Sequence, residues 1–222
     1  MSELETIEVE TGSDPEATVI WLHGLGADAH DFEPCVPMLS LGPELAVRYV
    51  FPNAPVRPVT LNGGALMRAW FDLLALDHKA PEDETGIRES ARSVEQLIRR
   101  ETERGIDAAR IILAGFSQGG AVALFTALRY SQSLAGVIAL STYLPLSDIT
   151  SREKNPANEE IPIFMAHGQF DVMLNIDLAR SSQKTLQQLG YSVSWHEYPM
   201  SHSVIAEELS DIKLFLSAVL AT

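Results

Sequence analysis

The chain has little cysteine, little positive charge and no long apolar run. Cys35 is the only cysteine among 222 residues, so no disulfide can form within the chain, as is usual in a reducing compartment. Lysine and arginine number 16 against 30 aspartate and glutamate residues, and the net charge is −14. This charge argues against nucleic acid and anionic lipid as partners, because both repel an acidic protein.

Membrane and secretion signals are also lacking. No apolar stretch approaches the roughly 20 residues that a membrane-spanning helix needs. Residues 1–8 have neither the basic residues nor the apolar core of a secretion signal. We therefore expect no stable membrane insertion and predict a cytoplasmic location.

Strand and helix patterns alternate along the chain. Continuous apolar runs predict buried strands, and apolar residues at helical spacing predict helices that cover a sheet. Strands are predicted at residues 6–10, 17–22, 47–51, 110–114, 136–141, 162–166 and 191–198, and the main helices at 85–104, 121–129, 176–189 and 204–220. With no internal repeat or shift of composition, this pattern predicts a single α/β domain over residues 1–222, with a mostly parallel sheet and helices on both faces.

One motif, Gly115-Phe-Ser117-Gln-Gly119, lies between a predicted strand and a helix and has the pattern G-x-S-x-G. In that context the serine is forced onto a sharp turn, from which its hydroxyl projects. The two glycines remove β-carbons that would collide where strand and helix run close together. The helix N-terminus would stabilise an anion formed beside Ser117. The alternative is an ordinary glycine-rich turn, because so short a pattern also arises by chance.

A serine hydroxyl is hardly ionised near neutral pH, so it attacks a carbonyl only where a base accepts its proton. Three of the six histidines, His23, His167 and His202, follow predicted strands at the sheet edge where Ser117 lies. In α/β-hydrolases the partners follow in the order serine, acid, histidine, each after a later strand. That order selects Asp171 as the acid and His202 as the base.

Taken alone, each partner has a plainer explanation. Asp171 could be a turn residue, and His202 a helix cap or a surface histidine. Because both also fit the G-x-S-x-G turn and the required order, we interpret them as a catalytic triad in which Asp171 orients His202 and stabilises its protonated form. His23 and His167 are then predicted to be structural residues that bond nearby backbone. No metal site is predicted, since these histidines lack carboxylate or thiolate company at regular spacing.

Attack on a carbonyl also requires two donors for the oxyanion. One is predicted to be the backbone N–H of Gln118, the residue after the nucleophile, and the other an N–H from a loop after an early strand. The only early loop with suitable glycines is His23-Gly24-Leu25-Gly26. Leu25 or a neighbour is therefore expected to supply the second donor.

Residues 53–84 are irregular and contain an aromatic pair, Trp70 and Phe71. Loops of this length usually form lids or pocket walls or are disordered. Large aromatics argue against disorder, because burying each is worth about 1.5–3 kcal/mol. Trp70 and Phe71 are predicted either to line an apolar substrate pocket or to fill the core beneath a connection. Residues 143–160 are polar and are predicted to be a loop with little order of its own.

Six motifs run in order along nearly the whole chain. They are Leu22-His-Gly-Leu-Gly-Ala-Asp28, Trp70-Phe-Asp72, Gly115-Phe-Ser-Gln-Gly-Gly120, Leu140-Ser-Thr-Tyr-Leu144, His167-Gly-x-x-Asp171 and His202-Ser-Val204. This set closely resembles the bacterial carboxylesterase and acyl-protein thioesterase family, also described as the phospholipase/carboxylesterase family of α/β-hydrolases. The resemblance implies an α/β-hydrolase fold without a large cap domain, no cofactor, and hydrolysis of esters or thioesters with short to medium acyl chains.

The same resemblance assigns roles to individual residues. Ser117, Asp171 and His202 match the family's triad. Leu25 and Gln118 match its oxyanion donors. Two positions depart from the family pattern: Ser201 replaces a frequent glycine, and Val172-Met173 replace the proline and valine that commonly follow the aspartate. The second departure bears on the outline of the pocket beside the triad and hence on substrate preference.

The expected activity is that of a serine esterase that forms an acyl-enzyme on Ser117 and acts as a carboxylesterase, acyl-protein thioesterase or lysophospholipase. The substrate would be a small-molecule ester or an acylated protein. A peptidase is disfavoured because the sequence shows no inserted cap, and a catalytically silent binding protein with a hydrolase fold is the alternative from another class. The physiological substrate, acyl length and oligomeric state stay open, although small esterases with apolar pocket rims often form homodimers.

Overall fold

The computed structural model of the chain describes residues 3–42, 45–75 and 81–221. Within them the β-strands are β1 (Thr6–Glu10), β2 (Ala17–Leu22), β3 (Val47–Pro52), β4 (Val56–Val59), β5 (Ala65–Arg68), β6 (Ile111–Phe116), β7 (Gly136–Leu140), β8 (Ile163–Gly168) and β9 (Val193–Tyr198). The α-helices are α1 (Val36–Leu39), α2 (Glu84–Glu103), α3 (Gln118–Ala127), α4 (Ser147–Glu153), α5 (Ile176–Gln188) and α6 (Ala206–Leu220). None of these helices is long and apolar enough to cross a lipid bilayer.

Seven strands form one sheet in the order β1-β3-β2-β6-β7-β8-β9. β1 pairs with β3 in antiparallel orientation, and the remaining neighbours are parallel. β2 and β7 are buried along their whole length, which explains their continuous apolar sequences. The predicted mostly parallel α/β sheet is confirmed, and its predicted strands agree with the observed ones to within one or two residues.

Helices cover both faces of the sheet and enclose two apolar clusters. On one face α2 and α3 pack against side chains such as Ile20 and Leu113. On the other, α1 and α6 pack against their chain neighbours, Val19 and Ile112. Side chains therefore alternate between the two clusters along each central strand. α3 is buried on all sides, because it lies between the sheet and α2.

The parallel strands end at a common edge. Leu22 at the end of β2 is opposite Gly115, and Phe116 at the end of β6 is opposite Leu140. Further along the sheet, Gly168 is opposite Tyr198. The loops that follow these strands therefore lie side by side, at the edge where open α/β sheets bind their ligands.

Two segments differ from the sequence-based prediction. The irregular stretch 53–84 contains an antiparallel ribbon, in which β4 pairs with β5; residues 76–80 of that stretch lie outside the described residues. Residues 143–160 were predicted to lack regular order, and this was wrong, because they contain α4. Glu153 in α4 forms ion pairs with Arg88 and Arg129, at 2.7 and 2.8 Å. A short polar helix held by tertiary ion pairs has no apolar periodicity that a sequence could show.

Candidate active site

Ser117 lies on the sharp turn between β6 and α3. Its backbone has φ 52° and ψ −120°, which is unusual for a residue other than glycine. Two hydrogen bonds hold this turn: Ser117 N–H donates to the Leu140 carbonyl at 2.8 Å, and Thr142 Oγ1 donates to the Ser117 carbonyl at 2.6 Å. Although serine is a favoured N-cap residue, the Ser117 hydroxyl makes no capping bond to α3. The hydroxyl is therefore not engaged by the helix that it precedes.

The glycines around Ser117 allow a close approach of backbone that no other residue would permit. A β-carbon on Gly115 would lie 2.4 Å from the carbonyl carbon of Gly119. A β-carbon on Gly119 would lie 2.3 Å from the Leu22 carbonyl oxygen at the end of β2. The strand and helix run as close together as the sequence predicted, and β2 is part of the same contact.

His202 and Asp171 are brought together as expected. His202 Nδ1 donates to Asp171 Oδ2 at 2.6 Å, a short, charge-assisted distance. The other oxygen, Oδ1, accepts the backbone N–H groups of Met173 and Leu174, both at 2.9 Å. The Asp171 side chain is fully buried, whereas that of His202 is 20% exposed. A buried carboxylate with this many donors is held in one orientation.

Backbone contacts between two loops place these side chains. Gln169 N–H donates to the Tyr198 carbonyl at 2.8 Å, and Phe170 N–H to the Met200 carbonyl at 3.0 Å. A β-carbon on Gly168 would lie 2.3 Å from the Ser201 carbonyl oxygen, so only glycine allows the histidine loop to approach β8 so closely. This role of Gly168, the last residue of β8, was not expected from the sequence.

A cavity of about 680 Å³ opens at this edge of the sheet, and both Ser117 and His202 line it. The Phe116 ring packs on the His202 ring with 4.7 Å between centroids. The apolar part of the wall includes Phe71, Leu73, Leu74, Leu144 and Leu178. The acidic side chains that line the cavity are Asp31, Asp72, Glu82, Asp83 and Asp177, and none of the described lining residues is lysine or arginine. The cavity therefore has an apolar wall together with several acidic side chains.

Leu25 and Gln118, the two expected oxyanion donors, line the same cavity. Gln118 is the first residue of α3, so its N–H has no carbonyl partner within the helix. The loop that contains Leu25 is held by its neighbours: Gly26 N–H donates to the Arg68 carbonyl at 2.8 Å, and Ala27 N–H to the Gly24 carbonyl at 3.2 Å. Both backbone segments are thus in place beside Ser117.

The two aromatic residues of the irregular stretch have different positions. Phe71 lines the cavity, in agreement with a pocket wall. Trp70 is completely buried and is absent from the described lining; its Nε1–H donates to the His23 carbonyl at 2.9 Å. Trp70 therefore fills the core beneath the loop, which was the other interpretation, and does not reach the cavity.

The Gln118 side chain joins the nucleophile turn to the aromatic segment. Its Oε1 accepts the Trp70 backbone N–H at 2.8 Å, and its Nε2 donates to the Phe71 carbonyl at 2.8 Å. The side chain is buried, so these two bonds replace water. From the sequence, Gln118 was expected to act only through its backbone N–H. No local sequence signal predicts the role of its side chain, because its partners lie nearly 50 residues away.

His23 and His167 bond backbone groups, as predicted. His23 Nδ1 lies 2.7 Å from the Gly24 carbonyl, and its Nε2 accepts the Ala54 N–H at 3.1 Å. His167 Nε2 lies 2.8 Å from the Leu174 carbonyl. Burial lowers the pKa of both imidazoles, so both stay neutral near pH 7.

Glu82, which lines the cavity, connects the irregular segment before α2 to the residue before α4. Its carboxylate accepts the backbone N–H of Leu146 at 2.8 Å, and Leu146 adopts a left-handed φ of 49°. Burial against the wall raises the pKa of Glu82, although this hydrogen bond and the Tyr143 hydroxyl act in the opposite direction. The residue was not singled out from the sequence, since it lies in an irregular segment without a motif.

Comparisons with known proteins agree with this geometry. The family model described as Phospholipase/Carboxylesterase matches residues 4–220. Acyl-protein thioesterase 1 of Mycosarcoma maydis is 38% identical over 237 aligned residues, covering 99% of each chain. The protein of the same name from Neurospora crassa is 42% identical over 211 residues, covering 90% of this chain and 86% of the relative.

Solved structures show the same likeness. Arabidopsis thaliana SOBER1 superposes with a TM-score of 0.87 at 31% identity, covering 92% of this chain and 99% of that chain. Zea mays acyl-protein thioesterase 2 superposes with a TM-score of 0.86 at 28% identity, covering 97% of this chain and 99% of that one. The chain therefore belongs to the phospholipase/carboxylesterase family of α/β-hydrolases, and it is a serine hydrolase of the carboxylesterase and thioesterase type.

Proposed function

We propose that this hydrolase cleaves esters or thioesters of short to medium acyl chains through an acyl-enzyme on Ser117, with His202 as base and Asp171 as its partner. The observation that carries the proposal is a single arrangement. Ser117 and His202 line one cavity, and His202 Nδ1 is bonded at 2.6 Å to the buried Asp171 carboxylate. That bond directs the other ring nitrogen, Nε2, away from the acid and leaves it to accept a proton.

The reaction proceeds in two halves. Ser117 Oγ forms a bond to the acyl carbon while His202 Nε2 takes the hydroxyl proton, and the N–H groups of Leu25 and Gln118 stabilise the oxyanion. The bond to the alcohol or thiol then breaks, and the leaving group takes the proton from His202. In the second half, a water molecule gives a proton to His202 and attacks the acyl carbon. The bond to Ser117 Oγ then breaks and His202 returns the proton to Oγ, which releases the carboxylic acid and restores the Ser117 hydroxyl.

The cavity supports an acyl group of moderate length. A volume of about 680 Å³ lies within the range of roughly 300–1,000 Å³ typical of small-molecule sites, and Phe71, Leu74 and Leu178 give it an apolar wall. Its carboxylates favour a neutral or positively charged leaving group over an anionic one. An acylated protein segment with lysines near the modified cysteine fits this charge, and it agrees with the thioesterase names of the relatives.

The decisive test uses the wild type, Ser117→Ala and a matched control, Ser93→Ala, which changes a partly exposed serine in α2. We expect Ser117→Ala to lose labelling by a fluorophosphonate and to lower kcat for p-nitrophenyl esters by about 10⁶, with an unchanged melting temperature. Ser93→Ala should behave as wild type. Labelling that survives Ser117→Ala would reject Ser117 as nucleophile.

The same assay separates the alternative of a catalytically silent binding protein. Such a protein would show no turnover of p-nitrophenyl esters from acetate to decanoate in the wild type. Turnover of an S-acylated, lysine-rich peptide above that of an acyl-CoA of equal chain length would support the acylated-protein substrate. The reverse order would contradict the charge argument and favour small anionic thioesters.

Two further properties belong to the same proposal. Exposed apolar side chains beside the cavity, Phe170, Val172 and Met173, support association into a homodimer. Light scattering at micromolar concentration would measure its mass, and a monomer at all concentrations would contradict it. The lack of a disulfide partner for Cys35 supports a cytoplasmic location, which fractionation of the source cells would test.

A further inference from the structure

We propose that His167 is a positioning residue for the triad, which fixes the Asp171 carboxylate near the same oxygen that accepts from His202. The inference rests on the proposed function and deepens it. It starts from a buried histidine for which the mechanism above has no use.

Asp171 Oδ2 lies near an imidazole nitrogen of each of two histidines. His202 Nδ1 lies at 2.6 Å and His167 Nε2 at 3.3 Å. Both the Asp171 and the His167 side chains are fully buried, so water does not compete for these contacts. The carboxylate is therefore shared between two histidines, of which only His202 reaches the cavity.

The hydrogen-bond partners of His167 determine its tautomer. Nε2 lies 2.8 Å from the Leu174 carbonyl, which can only accept, so Nε2 must have the proton. Nδ1 is buried and has no hydrogen-bond partner among the described residues. A proton at Nδ1 would be left unsatisfied in the interior, so His167 is neutral; its single N–H donates to the Leu174 carbonyl, and Nε2 lies 3.3 Å from Asp171 Oδ2.

Leu174 closes a ring with the same two side chains. Its N–H donates to Asp171 Oδ1 at 2.9 Å, while its carbonyl accepts from His167. Both the carboxylate and the loop beyond it are thereby fixed to the end of β8. Without His167 the carboxylate would keep its backbone donors but could rotate toward the space that the imidazole occupies.

The charges around His167 keep the catalytic proton on the other ring. Asp171, Glu197 and His202 are the titratable groups that face it. Burial lowers the pKa of His167, outweighing Asp171 and Glu197, which raise it, and protonated His202 lowers it further. A proton taken from Ser117 therefore resides on His202 and does not transfer to His167.

The test compares two amides of different reach. The glutamine amide in His167→Gln reaches the position of Nε2 and can still donate to the Leu174 carbonyl beside Asp171, whereas the shorter amide in His167→Asn cannot. In His167→Asn the carboxylate loses the polar N–H that lies near Oδ2 and holds the His202 proton more strongly. We expect kcat to fall about tenfold and the acidic limb of the kcat/KM profile to move to higher pH by about half a unit to one unit. His167→Gln should restore most of both.

Controls separate positioning from a general loss of structure. Fluorophosphonate titration counts the folded active sites in each variant, and rates are expressed per active site. The control is His196→Gln, which changes a histidine in β9 that does not contact Asp171. It should leave the acidic limb of the kcat/KM profile unshifted. An unshifted limb in His167→Asn, or a glutamine variant no better than the asparagine one, would overturn the inference.

A second measurement needs no variant. Nitrogen-15 NMR of the wild-type imidazoles should show His167 neutral with the proton on Nε2 from pH 5 to 8. A proton on Nδ1, or titration of His167 near pH 6.5, would overturn the inference even if the asparagine variant did not fold. The proposed function fails separately, through turnover by Ser117→Ala, and an inactive Ser117→Ala with an unshifted limb would remove only the role of His167.

Discussion

The two halves of the proposed site are held in different ways. Ser117 follows β6, a strand at the centre of the sheet, and its turn is fixed by close backbone packing at Gly115 and Gly119. Asp171 and His202 follow β8 and β9 near one side of the sheet, and hydrogen bonds between two loops place them. Exposed side chains surround this second half: Val172, directly after the acid, is 90% exposed.

This difference separates what can move from what cannot. Packed backbone at the centre of a sheet has no space into which it can relax, so a change there acts on the whole fold. Loops joined by hydrogen bonds can shift by a fraction of an ångström, and a change there acts mainly on the geometry of the reaction. Substitutions in the central half should therefore mainly lower the free energy of unfolding, and substitutions in the outer half should mainly lower the rate of turnover.

Within the outer half, the largest effect on turnover is expected for Asp171→Asn. An asparagine can present its amide to His202 and favour the wrong imidazole tautomer, so kcat should fall by about 10⁴ while the structure stays intact. Steady-state kinetics with p-nitrophenyl butyrate would measure it. The control is Asp148→Asn, which changes an exposed acid in α4. A loss below tenfold, at unchanged melting temperature, would contradict the role of Asp171.

The next contrast is between Gly119→Ala and Gly168→Ala. Each added β-carbon would lie 2.3 Å from a carbonyl oxygen, of Leu22 and Ser201 respectively. At the centre we expect a loss of about 3 kcal/mol or more in the free energy of unfolding. At the outer position we expect about 1–2 kcal/mol, with a loss of about 10² in kcat/KM as His202 is displaced.

Denaturant unfolding and kinetics on both glycine variants would make the comparison. Gly136→Ala is a control inside β7, because its β-carbon would approach only the Phe215 ring edge, at 3.2 Å, and the Pro162 carbonyl oxygen, at 3.4 Å. Equal losses of stability in Gly119→Ala and Gly168→Ala would remove the distinction between the two halves.

A buried carboxylate in α6, behind the histidine loop, should make stability depend on pH. Glu208 is fully buried, and burial raises its pKa to about 8. The Ile205 N–H faces it and lowers the pKa in part, but neither carboxylate oxygen has a hydrogen bond among the described residues. The folded state thus binds a proton that the unfolded state, with an ordinary pKa of 4.5, has released by pH 7.

The sign of the effect follows from that raised pKa. The loss of unfolding free energy caused by burying Glu208 is absent below pH 4.5, grows as the pH rises and levels off above about pH 8. Glu208→Gln has the shape of the protonated acid and should stabilise the protein by about 3 kcal/mol at pH 7, with little effect at pH 4. Urea unfolding at several pH values would measure this difference. A difference that does not change with pH would show that Glu208 is ionised in the fold.

The smallest effect on turnover is expected for Gln118→Ala, on the central half. The substitution keeps the backbone N–H at the oxyanion position but leaves the Trp70 N–H and the Phe71 carbonyl without their buried partner. We expect a loss of about 2 kcal/mol in unfolding free energy and a severalfold rise in KM, since Phe71 lines the cavity, with kcat changed less. The control is Gln187→Ala on the exposed face of α5. An unchanged KM would show that the wall does not depend on this link.

The central sheet and the expected partners of Ser117 could be predicted from sequence because their causes are local or ordered along the chain. Buried strands appear as apolar runs, and the family order of serine, acid and histidine selected Asp171 and His202 among several possible residues. The bond between these two is a contact over 31 residues, yet the position of each after a strand was enough to expect it.

The features that were missed depend on contacts between distant segments. α4 is stabilised by ion pairs of Glu153 with Arg88 in α2 and with Arg129, which follows α3. The Gln118 side chain, the approach of the Ser201 carbonyl to Gly168 and the shared position of His167 all require two chain segments to meet. The composition of one segment does not indicate which distant segment it contacts, so no periodicity or motif could predict these contacts.

The backbone of Ser117 has one last consequence. Its left-handed φ of 52° is imposed by Gly115, Gly119 and the bonds to Leu140 and Thr142, and not by the serine itself. Any small side chain at position 117 would have the same strained backbone conformation, so replacing the hydroxyl with a thiol would change the attacking atom without changing its position. The residues that set the geometry of the turn differ from the residue that reacts, so each can be changed while the other is kept.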